Sequence, residues 1–290
     1  MIHSHLEGVL FRGFESTAPN SLKNKKTPLT QLVAAICDDG QKVITVSDRM
    51  VSSGDMTLTF EHSDRKAQAI TSHSAILIAG TMHEPDLIRD LRLKAKGKDR
   101  IRDIADTCVG LYQELRVNHI QDEILRRNGL SSFEEYQRKQ KILHDSMILE
   151  INDAVKKYDL GLTLMLVGVD NEAHILHIGN PGAWRSFDNL GYCTVGMGER
   201  HADNVFAWYR YSRNMPLRQA LHIAFEAKKK AEVAGGVGQA SDIMIIAKQG
   251  LRIVKEGTVK QLEDIYNSYE AKDPRRELRE RITGLKVQYE

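Results

Sequence analysis

The sequence predicts an α+β chain, and three observations carry that prediction. Residues 30–80 alternate apolar and polar positions and are rich in β-branched side chains, the period-two pattern of strands. Residues 84–158 change to helical composition and a 3.6-residue period. Residues 162–254 return to strands with a helix among them, so sheet and helix segments alternate in blocks.

Each element has a local reason. Residues 1–29 end in a polar stretch from Ser16 to Pro28, whose Pro, Asn, Ser and Lys residues predict a flexible arm. The arm reads equally as a propeptide or as a docking extension. The first strand, Thr30 to Ile36, stops at Asp38-Asp39-Gly40, and the second, Val43 to Arg49, runs toward the turn Ser52-Ser53-Gly54. Asp64-Arg65-Lys66 and the apolar run Ile76 to Gly80 complete this part. The helical block breaks at Asn128-Gly129, which predicts an antiparallel pair, Arg102 to Arg127 and Ser132 to Lys157. Leu111, Leu115, Ile120, Ile124 and Leu125 form its expected apolar face. Leu164 to Asp170 and Asp242 to Ala247 read as strands, the latter as the final one. The tail, residues 255–290, carries Arg275-Arg276-Glu277-Leu278-Arg279-Glu280-Arg281 and reads as a solvated helix.

Composition excludes several classes of function. Lys plus Arg number 41 against 39 Asp plus Glu, well mixed along the chain, so there is no basic footprint for nucleic acid. Cys37, Cys108 and Cys193 have neither metal-ligand nor redox spacing and indicate a reducing compartment. No apolar stretch approaches the roughly 20 residues of a membrane helix. Met1-Ile2-His3-Ser4-His5 does not open a secretion signal, so the expected location is cytoplasmic.

The chemistry concentrates at the head of the first strand. A threonine hydroxyl is a weak nucleophile and needs a base nearby. Cleavage before Thr30 would free an α-amine, which titrates near pH 8 and can serve as that base. A neighbouring lysine lowers the pKa of hydroxyl and amine and supports charge developing during attack; Lys66 is the candidate. Asp48 is the obvious partner to hold Lys66. A glycine corner offers a backbone N–H to the oxyanion, and Gly80 stands where one is needed.

This ordered set, Thr30, Asp48-Arg49, Gly54, Lys66 and Ala79-Gly80, resembles the β-type subunits of the proteasome, the related bacterial heat-shock protease and the Anbu proteins. All are N-terminal-nucleophile hydrolases. The resemblance continues through Leu164–Asp170, Asn180-Pro181-Gly182, Thr194–Gly198 and Met215–Leu221, and so spans residues 30–254. It implies a four-layer αββα sandwich of two stacked antiparallel sheets; the helical block is longer than the resemblance leads one to expect, and the surplus enlarges the helix pair at about residues 102–157. It also implies self-association into a ring or helical assembly, a peptide or protein substrate, and chemistry without metal or nucleotide.

Three activities stay open. In the first, a threonine-type peptidase, Thr30 attacks after loss of residues 1–29, Lys66 and Asp48 support it, and the Gly80 N–H binds the oxyanion. In the second, the chain is a catalytically inactive ring subunit or scaffold. Three features favour it: Leu29 where self-processing members usually have Gly, Ala234–Gly238 without the usual Asp and Ser, and the added helices; Met197, where a Ser often stands, also cuts against activity. The third keeps the chemistry as an amidase or transpeptidase. Other candidates fail on geometry. His174 and His177 point to opposite faces of a strand, Gly235–Gly238 precedes a strand and lacks a Gly-Lys-Ser/Thr ending, and His144-Asp145-Ser146 is only adjacency.

Overall fold

The computed structural model describes residues 30–52, 59–61, 65–80 and 85–270; residues 1–29, Gly54, Asp64 and residues 271–290 lie outside that set. The described chain is α+β, with two five-stranded antiparallel sheets and a separate two-stranded ribbon.

The chain begins with β1 (Gln31–Cys37) and β2 (Lys42–Asp48), joined by a turn in which Asp38, Asp39 and Gly40 all have positive φ. Asp and Gly are the residues that tolerate that conformation, which is why the acidic turn forms here. The ribbon β3 (Met50–Ser52) and β4 (Thr59–Glu61) follows, then β5 (Ala67–Thr71) and β6 (Ser74–Gly80). After the helical block come β7 (Leu162–Val169), β8 (Ala173–Gly179), β9 (Ala183–Ser186) and β10 (Tyr192–Gly196). Two further strands, β11 (Ser241–Ala247) and β12 (Gly250–Ile253), end the sheets. The first sheet has the order β10-β1-β2-β11-β12, the second β5-β6-β7-β8-β9.

Alternation along the strands sorts side chains among three apolar cores, one between the sheets and one on the outer face of each. Leu32, Ala34, Ile36 and Val43 of the first sheet share an apolar cluster with Leu77, Met165, Val167 and Ile175 of the second. The opposite face of the second sheet (Ile76, Leu164, Leu166, Ile178) packs on α1 (Pro85–Lys94) and α2 (Ile101–Ile120). The opposite face of the first (Val33, Ala35, Ile44, Val46) packs on α5 (Glu199–Trp208) and α6 (Leu217–Ala231), which follow α3 (Phe133–Lys139) and α4 (Asp145–Lys157) in the chain. Both sheets are therefore apolar on both faces, as sheets covered on both sides must be.

The structure corrects three local expectations. The helix pair is not two long rods. α2 ends at Ile120, passes through a π turn (Gln121–Leu125) and a 3-10 turn (Arg126–Asn128), and reverses at Gly129, φ +72°. The returning limb is split into α3 and α4, because each has its own N-cap. Ser132 Oγ accepts from the Glu135 N–H at 3.2 Å, and His144 Nδ1 accepts from the Ser146 N–H at 3.3 Å. The expected apolar face divides too: Leu111 and Leu115 pack on the sheet, whereas Ile124 and Leu125 join a small core with Leu130, Tyr136 and Ile151. Second, residues 162–254 hold two helices, and Asp242–Ala247 is not the final strand. Gly250, φ +125°, turns the chain back into β12. Third, the start of the tail is not simply solvated. It forms α7 (Glu256–Glu270), whose Val259, Leu262 and Tyr266 recur at helical spacing and pack with the α6 cluster.

Candidate active site

Thr30 stands one residue before β1, and Asp48 is the last residue of β2. The β1–β2 register pairs Leu32 with Ser47, so the hairpin brings positions eighteen apart in sequence side by side. Lys66 belongs to the other sheet, one residue before β5, where its carbonyl accepts from the Ile78 N–H at 3.1 Å. The cluster therefore joins the facing sheets at one end.

The Thr30 hydroxyl donates to Asp48 Oδ1 at 2.7 Å, and Lys66 Nζ donates to the same oxygen at 2.8 Å. Lys66 Nζ also contacts Thr30 Oγ1, so the hydroxyl accepts from an ammonium while donating to a carboxylate. Backbone N–H groups complete the carboxylate's coordination. Gln31 donates to Oδ1 at 2.9 Å, and Met50 and Gly238 each donate to Oδ2 at 3.1 Å. Thr30, Asp48 and Lys66 are 2%, 0% and 3% exposed, so these charges interact with little solvent screening. Burial pushes the Lys66 ammonium below its ordinary value, and the adjacent Asp48 carboxylate offsets part of that.

Glycines define the walls. Gly196 in β10 has φ +128°, and a Cβ there would lie 1.8 Å from the Thr30 carbonyl oxygen, which also accepts from the Met197 N–H at 3.1 Å. Gly80 ends β6 two residues beyond Ile78, on the Lys66 side of the cluster. Its φ is +106°, and a Cβ would lie 1.8 Å from the Gly161 carbonyl oxygen, so packing alone requires glycine there.

Of the residues expected at the site, Thr30, Asp48 and Lys66 are brought together by direct hydrogen bonds. Two further residues support these three. Gly238 donates directly to Asp48, and a Cβ on it would lie 2.9 Å from Met50 Cβ; the glycine run 235–238 was the available signal. Asp242, 7% exposed, accepts from Arg49 Nε at 2.9 Å and Nη2 at 2.6 Å, with Arg65 Nε 3.4 Å away. These arginines adjoin Asp48 and Lys66 in sequence, so Asp242 fixes the backbone on both sides of the site.

The remaining candidates take structural places. His174 donates from both ring nitrogens, Nδ1 to Asp188 at 2.8 Å and Nε2 to Asp170 at 3.1 Å, which only the protonated ring can do. It lies at the far end of the sheets from Thr30, next to Ala173, whose N–H donates to Gly40 of the β1–β2 turn. His144 caps α4 with its neighbour Ser146. Burial pushes the Cys37 and Cys108 thiols up to about 12, so neither is a nucleophile at neutral pH. Among the described residues no group of side chains has the arrangement to hold a metal ion, and no helix is long and apolar enough to cross a membrane. No family model matches the chain, and no curated protein matches its sequence.

Proposed function

We propose that the protein is a threonine-type N-terminal-nucleophile hydrolase acting on peptide bonds, related in fold to the proteasome β-type subunits and Anbu proteins. One observation carries the reading: a buried hydroxyl, carboxylate and ammonium, drawn from two sheets, converge within hydrogen-bonding distance at the residues that the resemblance requires. The helix, sheet, sheet, helix packing supports the four-layer αββα arrangement that such enzymes share.

In this mechanism residues 1–29 are removed and Thr30 becomes the amino terminus. Its freed amine takes the hydroxyl proton as Oγ1 attacks the scissile carbonyl, and returns it to the leaving amine. Lys66 stabilises the alkoxide character of Oγ1, and Asp48 fixes Lys66. The Gly80 N–H receives the oxyanion. Water then hydrolyses the Thr30 ester; a waiting amine in its place would make the enzyme a transpeptidase, and a small amide substrate an amidase. Ring or helical self-association would complete the substrate cleft.

The burial of Thr30 favours one second reading, a non-catalytic ring subunit in which Leu29-Thr30 is never cleaved. Intact mass of the purified protein beside a Thr30→Ala variant separates the two. Loss of residues 1–29 by the wild type alone supports the hydrolase, whereas retention of Met1 by both removes the base and sinks it.

A further inference from the structure

Lys228, in the last turn of α6, has no exposed surface. Removing an ammonium from water is costly, and an apolar side chain of similar length would fill this space without that cost. The ammonium is used twice. Nζ donates to Glu232 Oε1 at 2.6 Å and to the Gln239 carbonyl oxygen at 2.7 Å. Those acceptors sit near the two ends of the irregular segment 232–240 between α6 and β11. Within that segment lies Gly238, whose N–H donates to Asp48 Oδ2.

We propose that Lys228 is a positioning residue for the Thr30 site: by clamping Gln239 against α6 it sets the Gly238 N–H on Asp48, and through Asp48 the placement of Lys66 and Thr30. The inference rests on the hydrolase reading above. Three observations converge on it. The segment's own backbone bonds include turn contacts, Ala234 N–H to the Ala231 carbonyl at 3.0 Å and Val237 N–H to the Ala234 carbonyl at 3.4 Å, and the Lys228 clamp adds a constraint on Gln239, the residue next to Gly238. Gly238 is packed against Met50 closely enough that a Cβ would lie 3.0 Å from the Met50 nitrogen, so a small displacement of the segment disturbs both donors to Oδ2. The Lys228 ammonium is pushed below its ordinary value by burial and supported by Glu232, with the Asp48 carboxylate also acting to raise it, so its charge and that of the site interact.

The test is acylation of Thr30 by a β-lactone in protein expressed as the full chain and purified after loss of residues 1–29, followed by mass shift over a range of lactone concentrations. Lys228→Met is expected to lower the limiting acylation rate about ten- to hundredfold, the scale for losing hydrogen bonds to a charged group, with the half-saturating concentration unchanged. Lys228→Arg, which keeps two donors, recovers most of the rate. Thermal melts establish that folded proteins are compared, and Lys228→Gln, neutral and shorter, replaces the Met variant if that does not fold. Wild-type rates in the Met or Gln variant overturn the proposal, as do equal losses in Met and Arg. A wild type that is never acylated at Thr30 overturns the hydrolase reading instead, and the positioning role with it.

Discussion

Asp48→Asn is the perturbation with the most calculable consequence. The substitution keeps the shape and replaces one acceptor oxygen with an NH2 group. If the amide nitrogen takes the Oδ2 position it faces the Met50 and Gly238 N–H groups; if it takes the Oδ1 position it faces Gln31 N–H, the Thr30 hydroxyl and Lys66. Donors oppose donors either way, and the gentler choice leaves two buried N–H groups unpaired at about 1–3 kcal/mol each. Lys66, 3% exposed, also loses its counter-ion, and breaking a buried pair costs about 3–5 kcal/mol. The ammonium has an escape, because burial already pushes it toward the neutral amine. Deprotonation caps the Lys66 part, so a total loss of about 4–6 kcal/mol at neutral pH is expected.

The escape fixes the pH dependence. In the variant, the folded-state pKa of Lys66 falls further below its unfolded value near 10.4. Fewer protons are then bound folded than unfolded, so stability rises with pH between the folded and the unfolded pKa. The gap between wild type and Asp48→Asn should therefore narrow from pH 7 toward pH 10. Urea unfolding at several pH values measures it. A loss below about 1 kcal/mol, or a gap that does not change with pH, would refute the coupling of Lys66 to Asp48.

Two other perturbations probe separate parts of the molecule. Gly196→Ala forces a Cβ toward the Thr30 carbonyl at a residue with φ +128°; it should cost about 1–3 kcal/mol in urea unfolding and abolish loss of residues 1–29, and unimpaired processing would count against the site geometry. His174 is held protonated first by Asp188 and then by Asp170, with burial opposing, so its pKa is raised in the folded state. Its contribution is full below the unfolded value near 6.5 and is lost as pH rises through the folded value. His174→Phe should cost about 3 kcal/mol at pH 6 and progressively less toward pH 9, with Arg102, 3.8 Å from Asp188, the other charge to consider; parallel urea curves for the two proteins across that range would refute the assignment.

Much of this arrangement is local enough to read from the chain. Alternation places Leu32, Ala34 and Ile36 on one face and Val33 and Ala35 on the other, and the Asp38-Asp39-Gly40 turn fixes the hairpin that sets Thr30 beside Asp48. Those are properties of neighbours in sequence, governed by period and backbone sterics. The division of the helical insertion at residues 140–144 was less legible, because Ser132 and His144 act through cap geometry that composition hardly registers.

What only the tertiary structure decided is the set of partners distant in sequence. Lys66 reaches Thr30 because two sheets stack, and Gly238 meets Asp48 across 190 positions. Asp242 binds Arg49 across 193. Asp188, fourteen residues from His174, settles that histidine as a charged structural group. Lys228 gave no sign, since a lysine at a helix end ordinarily favours the dipole and faces water. Its burial follows from the packing of α6 on the first sheet beside the loop that carries Gly238. Periodicity records which face a residue is on, whereas hydrogen-bond partners depend on which faces meet, and that is fixed only when the layers close.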